Sequence, residues 1–293
     1  MIQGWRWDST LFAGTADYYM QGRLPYAPGF AEILAEALGL DGRGRLLDVG
    51  CGPGNVALAL APWFAEVVGL DPDEEMLAEA ARQAERRGVG NAGWVRARAE
   101  DLPAGLGGFR AVTFANSFHW MDRDRVAATV MGMLEPGGAF VHLAEQHDAP
   151  APATALPRPA PPRERIAGLV RAYLGPQRRA GQGVIAGGET PSGENEVLAR
   201  AGFVGFERHL VAGGQVLERS ADDVVAWTLS HSGSAPHLFG DRFGDFERDL
   251  RALLREEAPD DRFAEHLPPT EIRTWRRPSA DRQAEGDEDG GQH

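Results

Sequence analysis

Nine consecutive residues hold the densest chemistry in the chain: Leu46-Leu47-Asp48-Val49-Gly50-Cys51-Gly52-Pro53-Gly54. Three glycines at alternate positions, between an apolar run and a helical pattern, let the backbone turn tightly and let a ligand approach the next helix start. The dinucleotide fingerprint Gly-x-Gly-x-x-Gly is not met, because the sixth position counted from Gly50 is Asn55. Asp48 argues the same way, since a carboxylate repels a pyrophosphate and attracts an ammonium or sulfonium. Asp71, 21 residues after Gly50, ends the next apolar run and suits an acid that accepts both ribose hydroxyls of a nucleoside. The ligand described is a nucleoside that is cationic and carries no phosphate.

A second group follows the fourth apolar run: Asn116-Ser117-Phe118-His119-Trp120-Met121-Asp122. His119, with a free pKa near ~6.5, is the candidate to take a proton from a hydroxyl or carboxylic acid. The alternative, that His119 and Trp120 pack and shape the ligand pocket, stays open. Trp120 is also a candidate to touch an acceptor. Further along, Ser230-His231-Ser232-Gly233-Ser234-Ala235-Pro236-His237 reads as an exposed polar loop, with His231 and His237 as acceptor-side candidates. No metal site is expected: the eight histidines form no His-Glu-x-x-His.

These residues need elements to hold them. Phe30, Ile33, Leu34, Ala37 and Leu38 share one face of a helix over 29–39 that Gly39 stops. Strands at 46–49, 67–70, 93–96, 111–115 and 139–143 alternate with helices at 56–64, 74–87 and 126–134, which indicates parallel strands joined by crossovers. The fold class is α/β, a doubly wound, mostly parallel Rossmann-like seven-stranded sheet. After an Ala/Pro-rich stretch at 148–165, helices are expected near 166–174, 194–201, 221–230 and 242–257, with strands at 203–210 and 271–276 completing the sheet. This division gives an N-terminal segment over 1–30, a core over 31–147, a helix-rich part over 166–277 and a disordered acidic tail over 278–293.

Composition excludes several functions. Forty-three acidic residues oppose 30 basic ones, for a net charge of -13, and all 30 are arginine. Without lysine there is no Schiff base and no phosphate-loop amine. The acidic balance disfavours nucleic acid as a partner. Cys51 is the only cysteine, so no intramolecular disulfide forms and a reducing, cytoplasmic setting is expected. No stretch has the length and apolarity of a membrane span, and a monomer or homodimer acting on a small molecule is the expected form.

Residues 12 to 145 resemble the class I S-adenosylmethionine-dependent methyltransferases. Leu46–Gly54 is similar to that family's first motif and Val67–Asp71 to its second. Ala99-Glu100-Asp101-Leu102 is similar to the segment whose acid contacts the adenine amino group, and Leu134-Glu135-Pro136-Gly137-Gly138 to the turn before the fifth strand. The resemblance implies S-adenosylmethionine as cofactor, with Gly50, Cys51, Gly52 and Gly54 around its methionine portion. Asp71 would lie on its ribose, Pro72 and Met76 over its adenine, Glu100, Asp101 and Leu102 at the adenine edge, and Asn116 near the amino-acid end. Tyr18-Tyr19-Met20-Gln21-Gly22-Arg23 resembles the lid of related enzymes, in which Tyr19 would cover the sulfonium and Arg23 would pair with the methionine carboxylate. Arg110 departs from the pattern, standing where an aspartate usually opens the fourth strand. The resemblance also implies that 1–30 is an N-terminal lid segment, 31–147 the cofactor-binding core and 166–277 the acceptor side. The implied activity is methyl transfer to a small molecule through an oxygen nucleophile. The alternative is a relative that binds the cofactor without transferring methyl.

Overall fold

The structure, a computed structural model, describes residues 8–147, 154–180, 183–185 and 193–279. In chain order the elements are α1 (Ala16–Gly22), α2 (Phe30–Leu38), β1 (Arg45–Val49), α3 (Asn55–Leu60), β2 (Glu66–Asp71), α4 (Glu74–Arg87), β3 (Ala92–Arg96), β4 (Phe109–Ala115), α5 (Arg123–Met133), β5 (Leu134–Glu145), α6 (Arg163–Leu174), β6 (Arg178–Ala180), β7 (Gly183–Ile185), α7 (Glu194–Arg200), β8 (Val204–Val211), β9 (Val216–Ser220), α8 (Ala221–Leu229), α9 (Phe243–Glu257), β10 (Arg262–His266) and β11 (Thr270–Arg276). They divide into two compact units. One comprises Gly29–Ala144, Pro191–Val211 and Glu271–His293, and the other Met1–Pro28, Glu145–Thr190 and Ala212–Thr270.

The first unit is built on a seven-stranded sheet of order β3-β2-β1-β4-β5-β11-β8. Its inner strands are nearly continuous apolar runs, as strands covered on both faces must be, and Leu46, Leu47, Val49, Val67, Leu70, Val112, Phe114, Phe140 and Val141 are fully buried. β1 pairs in parallel with β2 and β4, β2 with β3, and β4 with β5. β11 runs against β5, since Arg277 donates its N–H to the Gly138 carbonyl while Gly137 donates back to the Arg277 carbonyl. Phe114 stacks on Phe140 at 4.5 Å between centroids, and Phe118 and Trp275 meet the Phe140 ring edgewise. Strand order reverses between β1 and β4, where open sheets of this type present ligands beyond the carboxyl ends of the strands.

Helix boundaries have local causes. α3 ends at Leu60 and continues as a 3-10 turn, Ala61–Trp63, earlier than the periodicity suggests, because Pro62 has no N–H for an α-helical bond. α5 begins at Arg123, before Val126, because the Asp122 carboxylate accepts the Arg125 N–H and caps it. Arg110 binds Asp41 and the Gly39 carbonyl at the end of α2, so the substituted strand start is anchored in another way.

The second unit packs α6, α8 and α9 around Ile166, Val224, Val225, Leu229, Phe239, Phe246, Leu250, Leu254 and Phe263. α1 belongs to it: a Cβ on Gly22 would lie 2.4 Å from the Ala226 backbone, so glycine lets α1 and α8 touch. β9 and β10 form an antiparallel pair, Ser220 opposite Arg262 through Val216 opposite His266, and β6 pairs with β7. Neither pair was expected, because runs such as Val-Leu-Glu-Arg-Ser are short and mostly polar. The Ser220 hydroxyl and the Asp223 carboxylate each accept the other residue's N–H and fix the start of α8. The acidic segment 280–293 and residues 148–153 of the Ala/Pro-rich stretch lie outside the described residues. Among the described residues no helix is long and apolar enough to cross a membrane.

Candidate functional site

The turn after β1 is a backbone construction in which the three glycines have different duties. Gly50, Gly52 and Gly54 all have positive φ, at 67°, 51° and 83°. Gly50 donates its N–H to the Leu70 carbonyl at 2.8 Å, as does Cys51 at 3.1 Å, which ties the turn to the end of β2. A Cβ on Gly50 would stand 2.6 Å from the Ser117 Cβ, and one on Gly54 2.8 Å from the Trp94 ring. A Cβ on Gly52 meets nothing within 4 Å. Gly52 alone therefore borders open space, while Gly50 and Gly54 serve packing against the loop after β4 and against β3.

Asp71 closes this cradle. Its Oδ2 accepts the Gly52 N–H and its Oδ1 the Asp73 N–H, both at 2.9 Å. Burial pushes the Asp71 carboxyl up to about 6, against the two backbone N–H groups that hold it down. Each carboxylate oxygen keeps a second lone pair, so hydroxyl donors can still be received. Pro72 follows, half-buried, and Asp73 caps α4 by accepting the Glu75 and Met76 N–H groups. The Met76 side chain is almost wholly buried.

Asp48 corrects an expectation. It is fully buried beneath the turn, where Oδ1 accepts the Thr113 hydroxyl at 2.7 Å and Oδ2 the Ala57 N–H at 3.2 Å. The carboxylate thus joins β1, β4 and α3 and is turned away from solvent. Burial pushes its pKa up to about 7. Cys51 is likewise buried, with its Sγ 2.9 Å from where a Cβ on Gly69 would be, and burial raises its thiol so that it stays protonated.

Glu100 is buried, accepting the Asp122 N–H on Oε1 at 2.9 Å and Arg98 on Oε2 at 3.1 Å. It links the 3-10 turn Ala99–Asp101 to the start of α5. Asp101 is exposed and Leu102 buried. Of the two acids, Asp101 is the one open to a ligand.

Beyond β4, Asn116 adopts φ 52° and donates its N–H to the Leu143 carbonyl at 3.0 Å. Ser117 donates its hydroxyl to the Val49 carbonyl at 2.6 Å, pinning this loop to the end of β1. His119 and Trp120 occupy the 3-10 turn Phe118–Trp120, half-buried, with ring centroids 4.9 Å apart. Burial, then His142 and Arg123, pull His119 down to about 4, so its imidazole is neutral at neutral pH.

Behind His119 lies a buried polar group that the sequence did not announce. His142 on β5 has no hydrogen-bond partner for Nδ1, and burial lowers its pKa while Glu194 opposes the shift. Arg273 pairs with Glu194 at 3.6 Å and Glu271 at 2.6 Å, Arg123 stands 4.0 Å from Glu194, and Arg208 also binds Glu271. Trp94 was missed as well. It stands directly across from Gly69 in the β2–β3 register and fills the space of two glycine side chains, Gly69 and Gly54. The glycine inside the apolar run Val67-Val68-Gly69-Leu70 was the available signal.

The remaining candidates belong to the other unit. The Arg23 guanidinium lies over the Tyr19 ring, 5.1 Å from its centroid, and donates to the Ser230 carbonyl at 3.0 Å. One face of the Tyr19 ring, the residue expected to cover a sulfonium, is covered by Arg23. His231 Nδ1 is 2.6 Å from the Trp227 carbonyl. A carbonyl only accepts, so Nδ1 donates and Nε2 carries the lone pair. Burial, then Arg23, hold His231 well below the usual histidine range. His237 is exposed, with Nδ1 3.0 Å from the Ala13 carbonyl. The segment expected to be an exposed loop forms two 3-10 turns, with Ser230, Ser232 and Ser234 buried.

A methyltransferase domain model matches residues 46–138. An uncharacterized methyltransferase of Synechocystis sp. is 31% identical over 206 residues, which cover 67% of this chain and 84% of that protein. The uncharacterized methyltransferase YcgJ of Bacillus subtilis is 34% identical over 107 residues, 36% of this chain and 42% of that protein. The demethylmenaquinone methyltransferase of Thermus thermophilus is 42% identical over 103 residues, 34% of this chain and 46% of that protein. The chain thus spans less than half the length of the Bacillus and Thermus relatives. A solved structure from Anaeromyxobacter dehalogenans, provisionally assigned as a type II methyltransferase, shares the fold with a TM-score of 0.51 at 22% identity, over 88% of this chain and 99% of that one.

Proposed function

This chain belongs to the class I S-adenosylmethionine-dependent methyltransferases, and on that premise we propose that it transfers methyl to an oxygen atom of a small molecule. The observation that carries the reading is the cradle formed by Gly52 and Asp71. A backbone N–H, an open Cα face and a carboxylate with free lone pairs come together at the strand-order reversal. These residues suit a nucleoside with vicinal hydroxyls. S-adenosylmethionine, when bound, supplies a methyl group on a positively charged sulfur. Asp71 would receive the ribose hydroxyls, Gly52 would allow close backbone approach, Pro72 would lie against the adenine and Asp101 would accept from its amino group.

His119 is the proposed proton acceptor. It is neutral, so its lone pair is available, and its low pKa makes it effective only toward acceptors that are themselves fairly acidic. An acidic enol or phenol suits it better than an aliphatic alcohol, while a carboxylic acid is already ionised at neutral pH and needs no base. Trp120 beside it offers an apolar face for such an acceptor. Methyl transfer is then mainly a matter of holding the acceptor oxygen in line with the methyl group, with water kept out.

The test is to incubate the purified chain with S-adenosylmethionine labelled in its methyl group and a panel of small carboxylic acids, phenols and amines. Label should enter the carboxylic acids as base-labile esters, or phenols as base-stable ethers, with S-adenosylhomocysteine released in equal amount. Label recovered only on nitrogen or carbon refutes the oxygen assignment. Tight S-adenosylmethionine binding with no release of S-adenosylhomocysteine refutes methyl transfer.

A further inference from the structure

The outer strand of the sheet, β8, ends the order β3-β2-β1-β4-β5-β11-β8, and no strand among the described residues pairs with its free edge. An unpaired edge offers a row of backbone donors and acceptors to another strand, and natural proteins usually blunt such edges with charge, proline or cover. β8 has no proline. It carries the exposed large hydrophobics found among the described residues instead: Val204, Phe206 and Leu210 are 40%, 48% and 54% exposed. Gly205, with φ 68°, kinks the start of the strand, so the regular stretch runs from Phe206 to Val211. Within it Phe206, Arg208 and Leu210 share one face and Glu207 and His209 the other.

We propose that this edge binds a second copy of the same chain, β8 pairing antiparallel with the partner's β8 about a two-fold axis at Arg208. In that register each Phe206 faces the partner's Leu210 and each Glu207 faces the partner's His209. Two apolar pairs and two acid–imidazole pairs form at once. The one like-charged contact, Arg208 against its symmetry mate, is blunted because each Arg208 is already bound to its own Glu271. The acid–imidazole pairs have open side chains to form from. Within one chain Glu207 Oε2 stands 3.8 Å from His209 Nε2, too far for a bond. The His209 and Glu207 side chains are 36% and 53% exposed, so the partner's Glu207 can meet the open edge of the imidazole. The segment after β11 is not the occupant, because residues 280–293 contain no apolar side chain larger than alanine.

Sedimentation equilibrium of the full chain tests this. Wild type should reach twice the chain mass of 31.6 kDa. L210E, a change at an exposed position, should raise the dimer dissociation constant at least about tenfold while leaving the melting temperature and S-adenosylhomocysteine affinity unchanged. E207R and H209E should each weaken the dimer about fivefold, and E207R/H209E, which restores opposite charges across the two-fold axis, should recover most of that loss. Amide exchange should slow over residues 206–211 as concentration rises. A monomer at about 100 µM, a dimer indifferent to all three single changes, or amide protection of 206–211 that does not depend on concentration would each overturn the proposal.

Discussion

The Gly52 N–H and the Asp71 carboxylate are joined at 2.9 Å, across 19 residues of chain, and this bond unites the glycine turn with the acid at the end of β2. Two motifs that look independent along the chain are one construction. Gly52 supplies the open face and Asp71 supplies the acceptor, and each depends on the other for its position.

Asp71→Ala removes the proposed ribose acceptor and frees the Gly52 N–H. Affinity for S-adenosylhomocysteine should fall at least tenfold, with stability down by about 1–2 kcal/mol for the lost bonds. Isothermal titration and thermal unfolding read the two effects separately; unchanged affinity would remove the ribose assignment. In the wild type, affinity should also decline as pH drops below about 6, where the buried carboxyl becomes protonated.

Asp48 should make the fold less stable as pH rises. Its folded pKa is pushed up to about 7, above the ordinary carboxylate value of ~3.9, so the stability it allows is full below ~4 and is lost as pH rises through 7. Asp48→Asn keeps an acceptor for Thr113 or Ala57 without the charge. Chemical denaturation at several pH values should show a slope between pH 4 and 7, worth on the order of a few kcal/mol, that is reduced in Asp48→Asn. Equal slopes in the two proteins would refute the assignment.

Gly52→Ala and Gly54→Ala should fail differently. Both positions have positive φ, which costs a Cβ-bearing residue about 1–2 kcal/mol. Gly54→Ala adds a contact of 2.8 Å with Trp94 and should lose clearly more stability, partly recovered in Gly54→Ala/Trp94→Leu. Gly52→Ala faces open space, so its stability loss should stop at the φ cost while cofactor affinity falls. Melting curves alongside ligand titrations distinguish the pair, and the reverse pattern would reassign which glycine borders the ligand.

His119→Asn should lower kcat about a hundredfold, with the KM for S-adenosylmethionine nearly unchanged. Wild-type activity should hold from neutral pH down to about 5 and fall toward pH 4 as the imidazole is protonated. A variant that keeps full kcat across that range would leave His119 with a packing role.

The alternation of apolar runs and helical periods along residues 46–143 was legible because buried parallel strands and amphipathic helices each impose a period on the residues that form them. Boundaries were less legible where one side chain decides them, as Asp122 does for α5 and Pro62 for α3. β9 and β10 escaped notice because a short antiparallel pair with mixed polarity has no distinctive period. In the site, the types and spacing of the glycines and of Asp71 pointed to a ligand unaided. The orientation of Asp48 and Glu100 did not follow from spacing, since a carboxylate near a turn can cap a helix or face a ligand equally well.

Sequence alone therefore determined the α/β alternation, the place of the turn, the absence of any lysine chemistry and the pairing of a glycine turn with an acid about twenty residues later. These are local properties, set by backbone sterics, side-chain period and residue type. Only the tertiary structure decided which glycine faces open space and which acids are spent inside the fold. It also decided the protonation of His119 beside His142, and that Trp94, across from Gly69, governs Gly54. Those outcomes depend on what neighbouring strands and loops bring within a few ångströms, and on the desolvation that follows.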